Sequence, residues 1–247
     1  MQKWTKDIFQ RLRELVRAIF YYGKGRFCPI CEKYSRRFRI FGLVPREDAE
    51  CAHCHALERH RLLWLYLLRR TNLFDGHPKK MLHVAPEPCL ESPLKKRLGE
   101  GYLTVDFNDP RAMIKMDITA IAFPEETFDV IYCSHVLEHI QDDRKALREF
   151  HRILKSDGWA ILLVPITADK TFEDLSINTP EERLKVFGQE NHVRRYGQDF
   201  VERLREAGFK VEVIKVNDLA RPEEIVLMGL TPASGEIYYC TKQSTIR

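Results

Sequence analysis

Phe128-Asp129-Val130-Ile131-Tyr132-Cys133-Ser134-His135-Val136-Leu137-Glu138-His139-Ile140 decides how this chain is read. Phe128–Cys133 is an apolar run of strand length, rich in β-branched and aromatic side chains. A polar turn follows it. Residues 141–155 then show helical periodicity, with Asp142 or Asp143 as N-cap and Gly158 just past the end. The same alternation extends both ways along the chain. Strands are predicted at Met81–Ala85, Tyr102–Val105, Phe128–Cys133, Trp159–Val164, Lys210–Ile214 and Glu236–Cys240, and a further helix over 198–207, between Asp199 and Gly208. Strands that alternate with helices at this spacing build βαβ units and a mostly parallel sheet.

Upstream of this pattern the chemistry changes. Cys28-Pro29-Ile30-Cys31 and Cys51-Ala52-His53-Cys54 are two C-x-x-C pairs separated by 19 residues, inside the window of a structural zinc site. Each pair presents two thiolates to one ion, and two pairs close a tetrahedron. So short a segment has little core of its own, and the metal would supply much of its folding energy. Cys28, Cys31, Cys51 and Cys54 are therefore the expected ligands of a structural Zn2+, with His53, His55 and His60 as polar or partly packed neighbours. A total of seven cysteines, four of them in such pairs, speaks for a reducing compartment and a cytoplasmic location.

Leu57–Leu68 reads as a helix apolar nearly all round, and a turn-rich boundary follows from Thr71 to Pro78. Residues 1–26 read as an amphipathic helix, with Trp4, Ile8, Leu12, Leu15 and Ile19 on one stripe and Gly23 and Gly25 at its end. Its apolar stripe is open to three uses: packing on the body, self-association or membrane-surface docking. Its charges interrupt it too often for a secretory signal. The longest apolar run, Leu62–Leu68, is too short for a membrane span. The net charge of +4 conceals an asymmetry: 16 Lys/Arg against 7 Asp/Glu in residues 1–70 give +9, and 24 against 29 in the remainder give −5. A basic front end expects an anionic partner, either nucleic acid or an anionic surface, or is simply solvated. The Glu58-Arg59-His60-Arg61 run is one such candidate: a phosphate contact or a solvated helix end. The expected organisation is a helix over 1–26, a zinc module with its connecting helix over 27–72, and an α/β domain over 73–247.

From Met81 to Pro165 the order and spacing of segments resemble class I S-adenosylmethionine-dependent methyltransferases, in particular their broad type 11 group. Met81-Leu82-His83-Val84-Ala85-Pro86-Glu87 stands where the first strand and cofactor loop belong. Leu103-Thr104-Val105-Asp106 resembles the second strand with its ribose-binding acid, and Met116-Asp117-Ile118 the adenine segment. Phe128–Ile140 is similar to the fourth strand and its turn, and Leu154-Lys155-Ser156-Asp157-Gly158-Trp159 to the entry of the fifth. The resemblance implies a Rossmann-like doubly wound, mostly parallel α/β sheet and S-adenosylmethionine as cofactor. It implies that Val84, Ala85, Pro86, Glu87, Asp106, Phe107, Asp117, Ile118, Cys133 and Ser134 surround that cofactor. Independently, an acid about 20 residues beyond the first strand is placed to chelate two ribose hydroxyls, as Asp106 is. The family's first loop is usually glycine-rich, whereas Ala85-Pro86-Glu87-Pro88-Cys89 has no glycine.

His135, at a strand end, and His192, in the long connection after the fifth strand, are the candidate catalytic bases. The fourth-strand end lacks the Asn/Asp-Pro-Pro-Tyr signature of many exocyclic amine methyltransferases, which favours oxygen as the acceptor atom; the acceptor itself is not readable. His135-x-x-Glu138-His139 also matches the inverted zinc-peptidase pattern, but it begins at a strand end and not on a long helix. The competing reading is a zinc-containing module that binds nucleic acid or protein, with a catalytically inactive methyltransferase-like scaffold.

Overall fold

The computed structural model describes residues 19–42 and 44–243; most of the amphipathic segment expected over 1–26 lies outside the described residues. In chain order the strands are β1 (Arg26–Cys28), β2 (Lys33–Ser35), β3 (Arg39–Phe41), β4 (Arg46–Glu50), β5 (Met81–Val84), β6 (Tyr102–Asp106), β7 (Ile114–Lys115), β8 (Phe128–Ser134), β9 (Leu154–Leu163), β10 (Phe172–Glu173), β11 (Arg194–Arg195), β12 (Phe209–Ile214) and β13 (Ile237–Lys242). The helices are α1 (Glu58–Arg70), α2 (Pro88–Leu98), α3 (Asp143–Ile153), α4 (Pro180–Phe187), α5 (Phe200–Glu206), α6 (Val216–Leu219) and α7 (Pro222–Met228). Among the described residues no helix is long and apolar enough to cross a membrane.

These elements form two compact units that do not follow chain order. One unit takes the chain up to Thr71 and then Val216–Ser234; the other takes Asn72–Lys215 and the chain from Gly235. The excursion between β12 and β13, which carries α6 and α7, thus belongs with the cysteine-bearing unit. Nothing in its sequence periodicity signals this.

In the cysteine-bearing unit, β1 pairs with β2 and β3 with β4, both antiparallel. Helix α1 follows, with Glu58 in its first turn and Arg69 and Arg70 in its last, matching the helix macrodipole. Arg61, expected at a solvated or phosphate-binding helix end, is instead completely buried, and Glu58 and His60 are buried with it. The Arg61 guanidinium donates to the carbonyls of Ala49 (2.9 Å), Ala56 (2.7 Å), Met228 (2.6 Å) and Gly229 (3.0 Å). It also stacks 4.3 Å over Phe38. One side chain therefore joins β4, the cysteine loop and the end of α7. Glu58 accepts two bonds from Arg46, at 3.0 and 3.3 Å.

The second unit holds a seven-stranded sheet in the order β12-β13-β9-β8-β5-β6-β7. The run β9-β8-β5-β6-β7 is parallel throughout. Strand β13 alone is reversed, antiparallel to both neighbours. This is the expected doubly wound α/β fold. From β5 the chain moves outward to β6 and β7, then returns to the other side of β5 as β8, which makes β5/β8 the topological switch point. Asp142 caps α3 by accepting from the Lys145 N–H at 2.9 Å. Gly158, expected just past that helix, lies inside β9, which begins directly at Leu154. The reason is steric: a Cβ at Gly158 would sit 2.8 Å from the Asp129 carbonyl oxygen, so the glycine permits a close strand approach and does not cap the helix.

Replacing Arg61 with Met would remove a donor from four carbonyls, of which that of Ala56 keeps the Cys51 N–H; each buried carbonyl left unsatisfied costs about 1–3 kcal/mol. Thermal unfolding of R61M should show a large drop in Tm, and hydrogen exchange should rise in 216–234. An unchanged Tm would contradict the anchoring role.

Candidate active site

The strand ends at the switch point carry two strained residues. Ala85 follows β5 with φ +49°, and His135 follows β8 with φ +55°. Neither is glycine, and a left-handed non-glycine residue costs about 1–3 kcal/mol. Each is held by the neighbouring strand: the Ala85 N–H donates to Val105 O at 2.8 Å, and that of His135 to Leu163 O at 2.9 Å. The glycine-free loop thus still turns through the backbone region that glycine would favour. Pro88 then starts α2 at a position where its missing N–H is harmless. Val84 is buried. Glu87 bonds to His83 Nε2 at 3.0 Å and accepts from the Tyr132 hydroxyl at 3.3 Å, while His83 Nδ1 meets the Tyr102 hydroxyl at 2.7 Å. Burial pushes the Tyr102 hydroxyl well above its ordinary pKa.

Asp106, at the end of β6, accepts the N–H groups of Asn108 and Asp109 on Oδ1, both at 2.7 Å. Its other oxygen takes no protein hydrogen bond among the described residues. Phe107 beside it is exposed. Asp117 Oδ1 accepts from the Thr119 N–H and hydroxyl at 2.8 and 2.9 Å, and Ile118 is buried. At the end of β8, burial pushes the Cys133 thiol well up, which keeps it protonated and inert. The Ser134 hydroxyl next to it is buried without a hydrogen-bond partner.

A second set of side chains gathers on the turn after β8. His135 Nδ1 lies 3.5 Å from Glu138 Oε1. His192 comes from the distant connection between β9 and α5, yet its ring centroid is 4.7 Å from that of His139. Burial, then the neighbouring His139, pulls the His192 imidazole below its ordinary pKa. What holds the two segments together is Arg194, a residue to which the sequence alone assigns no role. Its buried guanidinium donates to the carbonyls of Leu137 (2.7 Å), Gln141 (2.8 Å) and Ile140, and pairs with Glu173 at 2.9 Å. Beneath it, Asp143 accepts from Arg203 at 2.9 Å and from the Tyr196 hydroxyl at 2.5 Å.

The four paired cysteines also come together. Cys28 Sγ lies 3.6 Å from Cys54 Sγ, and Cys31 Sγ lies 3.8 Å from Cys51 Sγ. A tetrahedral ion with bonds of about 2.3 Å to sulfur requires ligand separations of about 3.8 Å, so the spacing fits zinc. The two turns are alike: the N–H groups of Glu32 and His55 return to the carbonyls of Cys28 and Cys51, and both residues are left-handed.

Residues 94–162, from within α2 into β9, match the methyltransferase domain family. The chain is similar to ajmaline N-methyltransferase of Rauvolfia serpentina, 26% identical over 157 residues that make up 57% of this chain and 50% of that protein. It is also similar to phosphoethanolamine N-methyltransferase 3 of Arabidopsis thaliana, 37% identical over 100 residues, 40% of this chain and 18% of that one. The chain therefore spans at most half the length of these curated relatives. A crystal structure of an S-adenosylmethionine-dependent methyltransferase from Mesorhizobium loti shares the fold, with a TM-score of 0.50 at 12% identity over 72% of this chain and 97% of that one. The family match begins downstream of the glycine-free loop.

Burial resists ionisation of Glu173, but Arg203 and Arg194 outweigh it and hold the carboxyl down to about 2. A carboxylate with a depressed folded-state pKa stabilises above its unfolded value, and that stability is lost as pH falls. Between roughly pH 4.5 and 2, wild type should lose stability that Glu173→Gln never had, so their Tm curves converge on acidification. Parallel curves over that window would refute the assignment.

Proposed function

We propose that this protein transfers a methyl group from S-adenosylmethionine to a hydroxyl acceptor, and that Cys28, Cys31, Cys51 and Cys54 hold a structural zinc ion. The observation that carries the first part is the switch-point crevice, where Asp106, Ser134 and the left-handed Ala85 and His135 stand at the ends of adjoining strands. The bound cofactor would supply an activated methyl on a sulfonium. Asp106 has a carboxylate oxygen to spare for the ribose hydroxyls, beside Phe107, and Asp117 with Ile118 suits the adenine. Val84, Ala85, Pro86 and Glu87 form the loop beneath, and Cys133 and Ser134 close the far side, where the unpaired Ser134 hydroxyl is a buried polar group in want of a partner.

His135 is the base we assign to the acceptor hydroxyl: its Nε2 takes the proton while Glu138, 3.5 Å from Nδ1, orients the ring. His192 is the second candidate, its imidazole held in the neutral form by burial. Both relatives are named for N-methylation, so a nitrogen acceptor is the competing chemistry. The turn sequence Cys133-Ser134-His135-Val136 is what favours oxygen.

Calorimetric titration of S-adenosylmethionine and S-adenosylhomocysteine tests the cofactor site. Asp106→Asn keeps the Oδ1 acceptor of the local turn but removes the charge, and should weaken binding about 10- to 100-fold, as expected for losing a charged hydrogen bond of about 1.5–3 kcal/mol. No binding by well-folded wild type would sink the enzymatic reading and leave the inactive scaffold. For the zinc, a mercurial thiol reagent should release one ion per chain from wild type and none from Cys51→Ser. Metal-free wild type with an intact fold would refute it.

A further inference from the structure

Glu138 is 1% exposed, and its Oε2 is buried without a hydrogen-bond partner. A buried carboxylate with an unpaired oxygen is expensive unless something cationic completes it. A carboxylate oxygen of Glu138 and one ring nitrogen each of His139 and His192 lie within 4.8 Å of one another. The Nδ1 of His139 is 3.2 Å from the Asn191 carbonyl, which makes it the N–H donor and leaves Nε2 with the lone pair. An imidazole whose second nitrogen is fixed by a carbonyl is the arrangement that orients a metal ligand. His192 is placed by the same strap: the Val193 N–H donates to the Glu138 carbonyl at 2.9 Å, and Arg194 grips the turn on either side of Glu138 and His139.

We propose that Glu138, His139 and His192 form a divalent-cation site, separate from the four cysteines and adjoining His135 at the end of β8. Two imidazoles and a carboxylate are a donor set for borderline divalent ions such as Zn2+, Co2+, Fe2+ or Mn2+. Three protein ligands leave coordination positions open, as in catalytic and not structural sites. The His135-x-x-Glu138-His139 segment by itself supplies too few ligands on one helix; the third arrives from the strap. An acceptor hydroxyl bound to such an ion would have a lowered pKa, and His135 would then take its proton. That role rests on the methyl-transfer reading above, whereas cation binding does not.

The test uses the full chain with its cysteine site zinc-loaded, titrated with Co2+ by calorimetry and visible absorption. Wild type should bind one further Co2+ with weak visible bands and no thiolate charge-transfer band. His192→Ala and His139→Ala should each weaken it at least about tenfold, with thermal unfolding as the check on folding. Glu138→Gln removes the buried charge while keeping shape, and should abolish Co2+ binding without lowering Tm. Absence of Co2+ binding at millimolar concentration, or equal affinity in wild type and all three variants, would overturn the proposal. Titrating S-adenosylmethionine into the same proteins separates the two readings. Intact cofactor binding without Co2+ binding defeats only the cation site, and the reverse result defeats only the methyl-transfer assignment.

Discussion

The guanidinium of Arg194 is the contact on which the turn after β8 depends. It is almost completely buried, and its donors meet the carbonyls of Leu137, Ile140 and Gln141 and the Glu173 carboxylate. That turn is a single 3-10 turn, Leu137–His139, in which the Leu137 carbonyl already accepts from the Ile140 N–H at 3.2 Å; Arg194 adds a second donor there and reaches the Ile140 and Gln141 carbonyls beyond it. A planar, permanently charged fork serves several carbonyls at once, which a lysine ammonium would do less well. Because Arg194 sits two residues from His192, satisfying the turn also delivers that imidazole to Glu138 and His139.

Arg61 solves the same problem in the cysteine-bearing unit. Four carbonyls from segments far apart in the chain converge on it. They include Met228 and Gly229 from the excursion between β12 and β13. In both units a buried arginine replaces apolar core as the device that joins segments with little regular structure. Its charge is tolerated because every bond goes to a strong acceptor.

Much of this was legible along the chain. Strand periodicity placed five strands of the seven-stranded sheet to within two residues, while β9 begins at Leu154, five residues before the expected Trp159; the two C-x-x-C pairs identified their own partners. Asp142 was readable as a cap. Gly158 was misleading, because glycine after a helical pattern has the same signature whether it caps the helix or admits a neighbouring strand; only the Asp129 carbonyl distinguishes the two. Asp143, beside the cap, was open to the same confusion, and is instead the buried acceptor for Arg203 and Tyr196. Arg61 looked like a surface cation because charge is usually exposed. The four acceptors that reverse that expectation are scattered across the chain.

The sequence by itself determined the element types, the expected α/β class and the cysteine set, since these follow from periodicities and spacings within a few tens of residues. Tertiary structure alone decided that Val216–Ser234 belongs with the cysteine-bearing unit, that a loop without glycine still turns left-handed at Ala85, and that His192 meets Glu138 and His139. Each of these depends on backbone carbonyls, which every residue carries alike. Where such groups find their donors leaves no mark in the pattern of side chains.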